Sequence, residues 1–133
     1  MKPLLAGLLV VLLTGCAGTR LVTLNNADHF SGGSYNENLR GLGIEIPLNE
    51  DTYLGLTFYT NSHDKKSRLL SLAKEHKLYK DLYWGPIAGI ADGYDDFLFL
   101  GGFQMRYELF PGISIRGLFT PVVAVSGLVI EFN

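Results

Sequence analysis

Three histidines, one cysteine and 13 acidic residues carry most of the reactive side-chain chemistry available to this chain. His29, His63 and His76 are scattered and lack metal-ligand spacing. No P-loop, nucleophile elbow, zinc pattern or dinucleotide fingerprint is present, so the sequence calls for no metal and no cofactor. Three stretches remain as candidates: Tyr35-Asn36-Glu37-Asn38-Leu39-Arg40-Gly41-Leu42-Gly43, Phe58-Tyr59-Thr60-Asn61-Ser62, and Asp92-Gly93-Tyr94-Asp95-Asp96. Clustered carboxylates around a glycine can bind a divalent cation, and an acidic surface turn explains the third stretch equally well. Asn61-Ser62 also suits a turn at a strand end, and His29 a solvated loop.

The elements that position these residues begin with an exported leader. Lys2 gives a positive start, and Leu4 to Leu13 is an unbroken run of ten apolar and small residues. A membrane-spanning helix needs roughly 20, so the run fits the core of a signal peptide. Leu13-Thr14-Gly15-Cys16 resembles the lipobox of bacterial lipoproteins, which implies acylation of Cys16 and removal of residues 1–15. The other reading is ordinary cleavage after Ala17 or Gly18, with Cys16 discarded. A lone cysteine forms no internal disulfide. Residues 16–133 then make a single domain holding 10 of the 11 basic residues against 13 acidic ones, a net charge of −3. With no basic stripe, nucleic acid is excluded as a partner.

Glycine is abundant (16), tyrosine and phenylalanine total 15, and proline is sparse, a profile of strands and turns. Strands are expected near 20–26, 40–48, 52–61, 67–76, 82–91, 97–109, 112–119 and 124–132; residues 67–80 also fit a short helix. Asn49-Glu50-Asp51 and Phe110-Pro111-Gly112 read as tight turns, and 27–39, 62–66 and 92–96 as longer polar loops. Alternation along the strands sorts side chains onto two faces. Leu42, Ile44, Ile46, Leu54, Leu56, Phe58, Phe99, Phe103, Met105, Ile113, Ile115, Leu128 and Ile130 share one face. Glu45, Arg106, Glu108, Arg116 and Glu131 fall on the other. An apolar exterior around a polar interior suits lipid and would aggregate in water. The fold expected is therefore all-β: an eight-stranded antiparallel up-and-down transmembrane β-barrel, with a soluble periplasmic sandwich as the alternative.

The tyrosine-asparagine-glutamate followed by Gly41-Leu42-Gly43, the aromatic segment ending at Asn61-Ser62, the glycine-rich stretch Gly85 to Gly93, Phe103-Gln104-Met105-Arg106-Tyr107 and the closing strand together resemble the lipid A palmitoyltransferases of enterobacterial outer membranes. The likeness covers most of residues 29–132. It implies a small barrel in which His29 and Ser62 take the catalytic positions and Asn61 stands where the family has an aspartate. The implied chemistry moves an acyl chain from a phospholipid to a lipid A hydroxyl, with neutral His29 as general base. Asn61 departs from the pattern, because an amide offers no negative charge to an imidazolium. The family's amphipathic N-terminal helix is missing, and the interval from His29 to Tyr35 is short.

Two functions follow as expectations. The first is a bacterial outer-membrane barrel, lipid-anchored and monomeric, with a structural, masking or ligand-binding role at the cell surface and membrane lipid or lipopolysaccharide as its partner. The alternative is a lipid A acyltransferase using His29 and Ser62.

Overall fold

The computed structural model of the protein describes residues 18–30, 40–61, 63–93 and 95–132. Cys16, Ser62 and residues 35–39 lie outside them. The described chain is built from strands: β1 (Thr19–Leu24), β2 (Asn26–His29), β3 (Gly41–Pro47), β4 (Thr52–Thr60), β5 (Lys66–Lys74), β6 (His76–Tyr79), β7 (Leu82–Ala91), β8 (Leu98–Phe110), β9 (Ile113–Phe119) and β10 (Val123–Phe132).

All pairings are antiparallel and follow chain order; β1 then pairs with β10 through Thr19↔Phe132 and Val22↔Val129, so the sheet closes on itself. Ten segments make eight barrel strands. β1 and β2 are two halves of one strand along β10, and β5 and β6 are two halves of one strand along β7. Residues 67–80 are therefore strand rather than helix. Leu70 and Leu72 lie opposite Leu56 and Leu54, on the row that β4 turns outward.

Both interruptions have local causes. Between the pairs Val22↔Val129 and Ala27↔Val125 the first strand carries one extra residue, Asn25, which makes a β-bulge. The Thr23 hydroxyl accepts a bond from the Leu128 N–H (2.9 Å), replacing a ladder bond lost there. Gly127 permits the close approach: a Cβ at that position would stand 1.8 Å from the Thr23 carbonyl oxygen. The second break, at Glu75, lies beside Pro86, which has no N–H to donate. On the other side the ladder to β4 runs on through the break, the Glu75 N–H donating to the Asp51 carbonyl (2.7 Å) one step past the Thr52↔Lys74 pair.

Both ends of the described chain sit at one end of the barrel, where Gly18 N–H donates to the Phe132 carbonyl (2.8 Å). That end also carries the tight turns 48–51, 80–81 and 111–112 and is termed the lower end. At the first turn the Asn49 side-chain oxygen accepts from the N–H groups of Asp51 and Thr52. At the upper end lie the ends of β2, β4, β7 and β9 and the starts of β3, β5, β8 and β10.

The outer wall is apolar. Leu42, Leu56, Phe58, Leu70, Leu72, Trp84, Phe103, Ile113, Ile115 and Leu128 are all exposed, and Phe99 is 79% exposed. An apolar surface this extensive is tolerated in lipid and not in water.

Candidate functional site: a two-storey lumen

The inward-facing residues divide the lumen into a charged lower storey and an apolar upper one. Below, three guanidinium groups meet four carboxylates. Arg20 donates twice to Glu75 (2.9 and 3.1 Å) and once to Glu131 (2.8 Å). Arg106 approaches the same Glu75 carboxylate from the other side (2.9–3.2 Å) and donates to the Ser114 hydroxyl (2.7 Å). Arg116 donates to Glu45 (2.6 Å) and, at longer range, to the Gln104 side-chain oxygen (3.4 Å). The Arg20 and Arg106 planes rest on the rings of Tyr53 (3.7 Å) and Tyr83 (4.1 Å). Arg20, Glu45, Glu75, Arg106 and Arg116 are buried, and each has an opposite charge within reach. Glu108 and Glu131 are about one-third exposed at the lower rim, with Glu108 3.8 Å from Arg106.

Sequence reasoning missed Arg20 and Glu75, the two groups that tie this network together. The signal was present: Ser67, Leu69, Ser71 and Ala73 share the inward parity with Glu75, as Val22 and Leu24 do with Arg20.

The upper storey is different. Leu24, Leu69, Leu98, Leu100, Leu118 and Val125, with Ala27, Ile87 and Val123, line a cavity of about 430 Å³. That volume lies within the roughly 300–1,000 Å³ of small-molecule pockets. His29, His63, Tyr59, Ser71 and Thr120 contribute the polar side chains of its lining. His29 is the last residue of β2 and half-buried, so it belongs to the wall rather than to a solvated loop.

Asn61 is fully buried, and its amide is occupied by the loop above β4. Its side-chain nitrogen donates to the Ser67 hydroxyl and the Gly93 carbonyl (both 2.9 Å). Its oxygen accepts from the N–H groups of His63 (2.9 Å) and Lys65 (3.1 Å). Two donors and two acceptors exhaust the amide's capacity, leaving nothing to orient an imidazole.

The Asp92 carboxylate is likewise engaged. It accepts from the Arg68 side chain and the Arg68 backbone N–H, and these bonds hold its pKa below the usual carboxylate value. Among the described residues, no three His, Cys, Asp or Glu side chains converge as metal ligands.

No protein-family model matches the chain, and no curated protein matches it. Solved structures do. A de novo designed transmembrane β-barrel is 14% identical at a TM-score of 0.68, with 86% of this chain and 96% of that one covered. The outer membrane protein Ail of Yersinia pestis is 9% identical (TM-score 0.49; 86% and 99% covered). The N-terminal barrel domain of Pseudomonas aeruginosa OprF is 17% identical (TM-score 0.49; 87% and 97% covered). The designed barrel decides the architecture: this chain has the fold of a small, closed transmembrane β-barrel.

Proposed function

We propose that the protein is a bacterial outer-membrane barrel, tethered through Cys16, whose upper lumen captures a single apolar ligand from the cell surface without chemically altering it. The division of the lumen carries this reading. A structural barrel needs only a filled interior, and an eight-stranded one is just wide enough for its own side chains to fill. Here the lower storey is filled, while the upper one holds a leucine- and valine-lined space. A hydrocarbon chain or small apolar molecule suits such walls, and the two histidines and Thr120 suit a polar end group.

The test is equilibrium binding of a polyene fatty acid, which fluoresces on burial, to protein refolded in detergent. Saturable binding that is lost in Leu118→Trp and Val125→Trp, both of which fill the cavity, is the expected result. Unsaturable partitioning, equal in all three proteins, would overturn the proposal.

Acyl transfer to lipid A is the second reading, favoured by the place of His29 in the cavity wall. The filled amide of Asn61 weighs against it. It requires expression of the protein to add one acyl chain to lipid A, a mass gain abolished by Ser62→Ala. The tether is tested by incorporation of labelled palmitate, lost in Cys16→Ala.

A further inference from the structure

The outer wall of β3, β4 and β5 is patterned in a way that neither the fold nor the lumen requires. Adjacent residues on these strands form horizontal rows that share one outward face. Below the rim the rows read Leu42–Phe58–Arg68, Ile44–Leu56–Leu70 and Ile46–Leu54–Leu72. Above them Lys66 pairs with Thr60, whose N–H donates to the Arg40 carbonyl (3.1 Å), so Arg40, Thr60 and Lys66 complete a top row. Three cations therefore crown an aliphatic strip, on a chain that is net acidic. Arg40, Lys66 and Arg68 are exposed and, with Phe58, Thr60 and the Asp92 carboxylate, line a shallow recess of about 550 Å³. Arg68 is shared with Asp92; among the described residues no carboxylate pairs with Arg40 or Lys66.

We propose that this face binds a phosphate-bearing lipid of the surrounding leaflet, its phosphates on Arg40, Lys66 and Arg68 and its acyl chains along the aliphatic rows beneath. The site rests on the membrane-spanning part of the function proposed above and is separate from the lumen. Two interstrand steps of roughly 4.8 Å place the Arg40 and Lys66 backbones about 10 Å apart, a span that suits a broad headgroup with more than one phosphate. Guanidinium and ammonium groups bind phosphate through charge-assisted bonds, strengthened where the hydrocarbon boundary lowers the local dielectric. The aliphatic strip adds what a free phosphate cannot use. Occupancy by a lipid therefore exceeds occupancy by inorganic phosphate.

The experiment is native mass spectrometry of the full chain refolded with bis-phosphorylated lipid A, with its phosphate-free counterpart, or with inorganic phosphate alone. Heat-modifiable electrophoretic mobility reports folding in every sample. Wild type should retain one bis-phosphorylated lipid through detergent exchange, and neither the phosphate-free lipid nor phosphate alone should be retained. Arg40→Gln/Lys66→Gln, which leaves the Arg68–Asp92 pair intact, should fold normally and lose about tenfold or more in retention. Equal retention by folded wild type and folded double variant, or of both lipids by wild type, would overturn the site while leaving the barrel's place in the membrane untouched. Failure of wild type to fold into any bilayer would overturn both.

Discussion

Glu75 is the residue on which the lower lumen turns, because one carboxylate satisfies two arginines that come from strands far apart around the barrel. Removing it leaves Arg20 and Arg106 buried, with Glu131 and Glu108 at the one-third-exposed rim and Glu45, 3.9 Å from Arg20, as the carboxylates that remain. Glu75→Ala should therefore cost about 3–5 kcal/mol in urea unfolding from detergent or lipid, the usual penalty for breaking a buried pair on one side. Glu108→Ala, which removes a longer and partly solvated contact, should cost under about 1 kcal/mol in the same measurement. A different residue sets the response to acid at the upper rim. Bonds from Arg68 lower the pKa of Asp92 in the folded state, so the stability they add is fully present above the unfolded carboxyl value of about 3.9. It is lost only as pH falls through the depressed folded value. Amide hydrogen exchange at Arg68, whose N–H bonds to Asp92, should show constant protection from neutrality to about pH 4 and opening below it.

At the scale of the strand, closure depends on the bulge at Asn25 and on the glycine facing it. Gly127→Ala would drive a Cβ into the Thr23 carbonyl and should block the β1–β10 seam. Gly101→Ala, where an added Cβ meets nothing within 4 Å, should be silent. Heat-modifiable mobility on gels separates the two outcomes, since only a closed barrel migrates as the compact species. The same seam shows what was legible in the sequence. Strands with one apolar and one polar face, such as Gly41–Pro47 and Ile113–Phe119, announce themselves by alternation, and their inward Glu45 and Arg116 with them. Phe97-Leu98-Phe99-Leu100 is apolar on both faces, so alternation could not separate the outer wall from an apolar upper lumen. The bulge breaks the period of two, so a strand expected near 20–26 continues as β2 and carries His29 to the cavity. The Arg20–Glu75 contact joins positions 55 residues apart and exists only once the sheet closes. Pairings of that kind are properties of the barrel rather than of any window of sequence.

For the molecule as a whole, the apolar belt is uneven, and the unevenness sets the bilayer it prefers. On β8 the outward row runs from Phe99 to Leu109 and is extended by Phe97; on β5 it consists of Leu70 and Leu72 alone, bounded by Arg68 and Lys74. Six residues at roughly 3.3 Å per residue separate those two cations, about 20 Å along the strand. A strand tilt of roughly 35–45° reduces this to about 15 Å along the membrane normal, against the roughly 25 Å belt of outer-membrane barrels. Arg68 and Lys74 can reach outward toward the headgroups, but they make up only part of the difference, and the bilayer must thin or the barrel tilt for the rest. Lys74 is held at the lower boundary by Asp51 (3.6 Å), whose own pKa is lowered chiefly by the Thr52 hydroxyl and then by Lys74. The protein should accordingly resist urea better in short-chain phosphatidylcholine bilayers than in long-chain ones. Arg68→Leu/Lys74→Leu, which extends the β5 row to four apolar residues, should shift that preference toward the thicker bilayer. An unchanged dependence on lipid length in the double variant would mean that β5 does not face the hydrocarbon, and the lipid site on the same wall would then lose its aliphatic half.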